Sequence, residues 1–193
     1  MNQFFVLCVF AFAFAPTFEA RGLFQSLTGS VKPGKCPEPT RLPQPFELKQ
    51  FLGTWYEIKS TKPVFEKDLR CVQANYQLDS ATGNVVVNNS GVYVSNNTIF
   101  TVGTAKTTKQ DNVLSVKFLP YSPAAQYWVV DTDYKGYALV VSCNNVFGLF
   151  NFRDVWVLSR NPTLEDATVK NLVAKLDSVG IKDTQLFDTL QNC

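Results

Sequence analysis

From Thr54 onward the chain is written in short runs that alternate apolar and polar residues, each closed by turn-forming residues. A period of two suits extended strands and does not suit a helix, so the fold class is all-β, a barrel or a sandwich. The runs place strands near 54–61, 71–79, 84–93, 98–107, 113–119, 126–132, 137–143 and 154–160. Asp79-Ser80-Ala81-Thr82-Gly83, Gln110-Asp111-Asn112 and Asp133-Tyr134-Lys135-Gly136 supply turn chemistry between them. Eight antiparallel strands closed up-and-down leave an interior wide enough for one small ligand.

The ends of the chain read differently. Phe4 to Ala15 is an unbroken apolar run followed by Glu19-Ala20-Arg21, the pattern of a secretory signal peptide cut after Ala20. It is well short of the ~20 residues a membrane span needs. Removing residues 1–20 takes away Glu19 and raises the net charge of +2 by one, too weak and too scattered a balance for a nucleic-acid footprint. Residues 21–45 form a leader, with Leu23, Phe24, Leu27 and Val31 spaced like one helical face. Pro33, Pro37, Pro39, Pro43 and Pro45 then hold the chain extended. Residues 46–193 make a single domain. After the last strand, Pro162 precedes Thr163 as an N-cap with Asp166 as capping-box partner. Leu172, Val173, Leu176 and Val179 give the helix an apolar face to lay on the barrel wall, and Gly180 ends it.

Of the five cysteines, Cys8 leaves with the signal, and Cys36, Cys71, Cys143 and Cys193 remain. An even set in a secreted chain implies two disulfides, with three pairings open. The chain has no histidine, which disfavours zinc, haem and the usual nucleophile–base catalysis, so no cofactor and no metal are expected.

Gly53 stands two residues before Trp55 at the start of the first strand, where a glycine can take a backbone closed to other residues and an indole can plug a barrel floor. Thr132-Asp133-Tyr134 lies between two later strands, and Arg160 closes the last. Gly-x-Trp, Thr-Asp-Tyr and a late Arg, in this order, resemble the three signature blocks of the lipocalins. The words Arg70-Cys71-Val72-Gln73-Ala74-Asn75-Tyr76 and Tyr134 through Cys143 are similar to their apolipoprotein D branch in particular. The resemblance runs from Cys36 to Cys193, and some colour-bearing arthropod proteins share the pattern.

It implies an eight-stranded up-and-down barrel with one C-terminal helix on its side, and it selects Cys36 with Cys143 and Cys71 with Cys193. It also implies that Arg160 stacks over Trp55 to close one end as a cation–π pair. The other end, residues 62–70, 94–97, 120–125 and 144–153, is then the mouth. Those segments carry Val64, Phe65, Tyr121, Val146, Phe147, Leu149, Phe150 and Phe152. The expectation is that these fold into the barrel top; left exposed, they would mark contact with a membrane, a lipoprotein or a protein.

Asn88-Asn89-Ser90 is a glycosylation sequon, and a glycan on Asn88 must point outward, so Val85, Val87, Asn89 and Tyr93 point in. A second sequon at Asn96 lies on a mouth loop. Trp128 and Val130 share one side of the sixth strand, and the resemblance puts that Trp in the ligand pocket. Tyr76, Phe100, Phe118 and Tyr137 are further candidates for the wall. The function this reading implies is a secreted, extracellular carrier for one small hydrophobic molecule: a lipid, sterol, retinoid, bilin or carotenoid. The rivals are a lipocalin docking through its mouth, and a lipid isomerase or hydroperoxide-processing enzyme.

Overall fold

The computed structural model describes residues 31–119, 121 and 123–193; the expected signal peptide and most of the leader lie outside them. The expected strands are all present: β2 (Gly53–Ser60), β3 (Leu69–Leu78), β4 (Val85–Tyr93), β5 (Thr98–Thr107), β6 (Val113–Lys117), β7 (Ala125–Thr132), β8 (Tyr137–Val146) and β9 (Phe150–Ser159). Each pairs antiparallel with the next, and β9 returns to pair with β2, from Tyr56 opposite Ser159 to Ser60 opposite Trp156. The sheet is therefore a closed barrel. Closure removes the free edges an eight-stranded sheet would otherwise expose.

Two short strands seal the seam. β1 (Val31–Pro33) pairs with Phe150–Phe152 of β9, so Val31 belongs to a strand and not to the helical face its spacing suggested. At the other edge, β2 pairs with β3 only from Gly53 to Tyr56, and beyond that the two strands part. The tail fills the gap. β10 (Phe187–Asp188) pairs with Ser60 and Lys59, and the Cys71 amide donates to the Leu190 carbonyl at 2.7 Å. Gln191 Nε2 then donates to the Glu57 and Val72 carbonyls, 2.8 Å each, satisfying backbone groups on both parted strands. Disulfides join Cys71 to Cys193 and Cys36 to Cys143, the pairing the resemblance implied.

Two apolar layers meet across the wall. The inner one contains Trp55, Tyr76, Val85, Val87, Leu114, Val116, Val129, Val140 and Leu158. The outer one puts Trp128, Val130, Leu139, Val141, Val155 and Val157 under the helix residues Leu172 and Leu176. That helix, α2, spans Asp166–Ser178 and follows α1 (Leu48–Phe51) at the barrel floor. It begins two residues later than the capping box suggested, with Glu165 at the N-cap and no side-chain cap, because the Thr163 carbonyl is engaged by Ser159 Oγ at 3.0 Å. Its end is as expected. Gly180 takes φ +79°, its amide donates to the Asp177 carbonyl, and the amide of buried Ile181 donates to that of Leu176, the paired bonds of a Schellman stop.

Candidate functional site: the barrel cavity

One end of the barrel is shut. Gly53 has φ +95°, and a Cβ there would lie 3.3 Å from the Arg160 guanidinium, two reasons for glycine. Arg160 stacks 3.7 Å from the centroid of Trp55, which is fully buried. The same guanidinium donates to the carbonyls of Gln50, Phe51, Leu52, Thr54 and Tyr134 at 2.8–3.2 Å, so one cation ties α1, β2 and the β7–β8 turn together. That turn is built by Asp133, whose Oδ1 accepts from the amides of Lys135, Gly136 and Tyr137, and by Thr132, whose Oγ1 donates to the Tyr137 carbonyl. Tyr134 Oη accepts from the Glu47 amide, bringing α1 down onto the floor.

Above the floor runs a chain of rings. Trp55 packs on Phe51 at 5.1 Å, Phe51 on Tyr76 at 5.4 Å, Tyr76 on Tyr127 at 6.2 Å and Tyr127 on Trp156 at 6.5 Å between centroids. The upper part of this chain borders a cavity of about 210 Å³. Its apolar wall is Phe65, Val72, Ala74, Val87, Val116, Phe118, Ala125 and Leu158, together with the rings of Tyr76, Tyr127 and Trp156. Gln73, Asn89, Ser142, Asn144, Glu57, Glu66 and Asp154 add polar groups. An apolar chamber with a few polar groups is the usual build of a small-molecule site.

The polar groups are closely coupled. The Tyr76 and Tyr127 hydroxyls share a 2.7 Å hydrogen bond. Burial pushes the Tyr76 phenol up to about 12, and burial followed by the neighbouring phenol raises Tyr127 as well, so both are neutral donors and acceptors. Glu66, on the 3₁₀ turn Val64–Glu66 at the mouth, accepts from Trp156 Nε1 through both oxygens at 3.2 Å. Its withdrawal from water, reinforced by the adjoining Glu57 carboxyl, holds it well above the usual carboxylate range. Glu57 is 2% exposed and accepts from Thr189 Oγ1 on the tail. Asp154 Oδ1 accepts from Thr61 Oγ1 at 3.1 Å. Among the described residues, Asn89 Oδ1 is buried with no hydrogen-bond partner.

Tyr76, Asn89 and Phe118 thus border the cavity as the sequence reading placed them. Trp128 and Val130 do not. Both lie in the outer layer beneath α2, and Trp128 Nε1 donates outward to the Thr40 carbonyl at 3.1 Å. The inward residues of β7 are Ala125, Tyr127 and Val129. Because the helix covers the outside of β7, the strand is apolar on both faces, and alternation alone cannot say which is in. Tyr137 packs at the edge of the same outer layer. Phe100 is on the outer face of β5 and 76% exposed, and Tyr93 sits at the mouth end of β4, outside the cavity lining. Tyr127, Trp156 and the carboxyl groups of Glu66 and Asp154 went unread; the only signal for Tyr127 was its place beside Trp128, one residue out of phase.

The mouth also departs from expectation. Residues 144–153 are mostly strand, with β8 and β9 joined by a tight turn at Phe147 and Gly148, both at positive φ. Phe65 borders the cavity, but most of the other apolar side chains there do not fold into the barrel top. Phe147 is 96% exposed, Leu149 67% and Tyr121 100%, with Phe65, Phe150 and Phe152 also exposed. Both sequon asparagines have outward positions: Asn88 is paired with Asn75 and Val102 across the wall, and Asn96 is exposed at the β4–β5 turn.

The family model for the lipocalin and cytosolic fatty-acid binding proteins matches residues 52–192. Apolipoprotein D of Mus musculus is 41% identical over 179 residues, covering 89% of this chain and 92% of that protein. Insecticyanin-B of Manduca sexta is 32% identical over 142 residues, covering 70% of this chain and 68% of its own. Among solved structures, apocrustacyanin C2 superposes with a TM-score of 0.71 at 25% identity, covering 84% of this chain and 92% of that one. With the shut floor, the ring-lined cavity and the side helix in place, this chain belongs to the lipocalin family.

Proposed function

We propose that the protein is a secreted carrier that holds one small hydrophobic molecule in the barrel cavity. The observation that carries this is the chamber itself, apolar through most of its wall and sealed at the floor by Trp55 and Arg160. Burial of apolar surface drives uptake, at about 25 cal/mol per Å² removed from water. Tyr76, Tyr127, Asn89 and Trp156 supply the contacts that orient the guest, while Val85, Val87 and Phe51 pack the floor beneath it. Two disulfides fit an oxidising compartment, which supports secretion, and residues 1–20 are read as the signal that directs it. Asn88 and Asn96 are the proposed glycan sites. The carrier role is preferred over an enzymatic one because the relatives matched over most of the chain are named as apolipoproteins.

The test is to extract the secreted, purified protein with organic solvent, and to record its absorption spectrum and the mass of what is released. One hydrophobic compound per chain, coloured or not, supports the carrier. A protein that holds nothing and takes up no neutral hydrophobic probe refutes it.

The exposed rim favours a second role, contact with a lipid surface. Phe147, Leu149 and Tyr121 stand at the mouth, where a guest would enter. Vesicle flotation should then be insensitive to salt, since apolar insertion is not screened as ion pairing is. Replacing Phe147, Leu149 and Phe150 by Ser should abolish flotation and leave cavity affinity intact; unchanged flotation would dismiss the role.

A further inference from the structure

The cavity is acidic on one side. Glu57 on β2, Glu66 on the mouth turn and Asp154 on β9 face it, and Tyr76 on β3 and Tyr127 on β7 are the other titratable groups that do. Among the described residues no Lys or Arg lines it. The nearby cations are committed elsewhere: Lys59 to Asp188 and Lys175 to Asp131 outside the barrel, Arg160 to the floor, and Arg153 toward the Gly180 carbonyl at the end of α2.

A second, independent feature points the same way. Asn89 Oδ1 borders the same cavity, buried and without a donor among the described residues. The wall therefore offers acceptors and negative charge to whatever enters, backed by the rings of Tyr127 and Trp156, whose faces attract cations.

We propose that the ligand is an amphiphilic amine, whose protonated nitrogen is received by Glu57, Glu66 and Asn89 while its apolar body fills the ring-lined chamber. This rests on the carrier reading and narrows it. Withdrawal from water and the adjoining Glu57 carboxyl raise the proton affinity of Glu66. An ammonium seated between the two carboxyls supplies the missing positive charge. That charge favours the ionised form of Glu66, so the proton Glu66 holds is released to solvent while the ammonium keeps its own. A fatty-acid carboxylate meets the opposite situation, a further negative charge with no base to pair it.

The test uses the full secreted chain and displacement of the neutral probe N-phenyl-1-naphthylamine by dodecylamine, dodecanol and dodecanoate at neutral pH, each below its micellar concentration. Dodecylamine should compete at least about tenfold more strongly than dodecanoate. Calorimetry in two buffers of different ionisation enthalpy should show a proton released as the amine binds. Glu66→Gln, which keeps the shape and the bond to Trp156, should shrink the preference and abolish the proton release. Dodecanoate competing as well as dodecylamine, with dodecanol also bound, would overturn the amine assignment and leave the carrier standing. Failure of the probe and all three chains to bind would overturn both.

Discussion

Trp128→Ala separates a wall residue that holds the barrel together from one that holds a ligand. Trp128 is 2% exposed and packs among Val113, Val130, Leu139 and Val141 beneath Leu172 and Leu176 of α2. Truncating an indole in such a site removes its burial and leaves a cavity, which costs about 3–5 kcal/mol. The lost hydrogen bond adds little. Its acceptor, the Thr40 carbonyl, keeps donors in Asn112 Nδ2 at 2.9 Å and Gln110 Nε2 at 3.1 Å, so no buried acceptor is orphaned. For a domain of this size the melting temperature should fall by roughly 6–20 °C. The urea midpoint should drop with its slope unchanged. Affinity for a neutral hydrophobic probe, measured where the variant is folded, should stay within about twofold, because the side chain points away from the cavity. An indole in the pocket would give the reverse, nearly unchanged stability and an affinity loss of about 1–3 kcal/mol, roughly 5- to 150-fold. That reverse pattern would refute the placement of β7 argued above. The fluorescence change on ligand binding should likewise vanish in Trp156→Phe and survive in Trp128→Phe.

Three further outcomes are expected. Arg160→Met removes the guanidinium that stacks on Trp55 and frees the carbonyls of Gln50, Phe51, Leu52, Thr54 and Tyr134; chemical denaturation should show a loss of about 3 kcal/mol, or two charge-assisted hydrogen bonds net of rehydration, with probe affinity preserved. Cys71→Ser with Cys193→Ser opens a link between residues 122 apart, and equilibrium unfolding should register about 2–4 kcal/mol, with amide exchange rising first along β10 and the mouth half of β2 and β3. Because Glu66 binds its proton more tightly in the folded state than in the unfolded one, the native protein carries more protons above the ordinary carboxylate range, and stability should fall as pH rises from there until Glu66 ionises in the native state. Glu66→Gln should flatten that decline, and an undiminished slope in denaturation across the same range would contradict it.

Much of the architecture could be read from neighbours in the chain. Alternation located the barrel strands, Asp133 marked a turn it builds with its own side chain, and Gly180 marked a helix stop, since each is decided within a few residues. The Gly53, Trp55 and Arg160 blocks were legible through their resemblance to the lipocalin signature, which implied that they meet at the floor. Alternation, however, says only that two faces differ. On β7 it separates Tyr127 and Val129 from Trp128 and Val130 without saying which pair is inside, and that was decided by α2, which buries the outer pair as deeply as the inner one. Nothing local announces that Glu66 will fold over the mouth to meet Glu57 and Trp156, or that Gln191 will bridge strands it follows by more than a hundred residues. Such contacts depend on where the barrel closes. The sequence by itself determined the strands, the turns and the sealed floor, whereas only the tertiary structure decided which residues face the cavity and what charge they present there, because inside and outside exist only once the sheet has closed and the helix has covered one side of it.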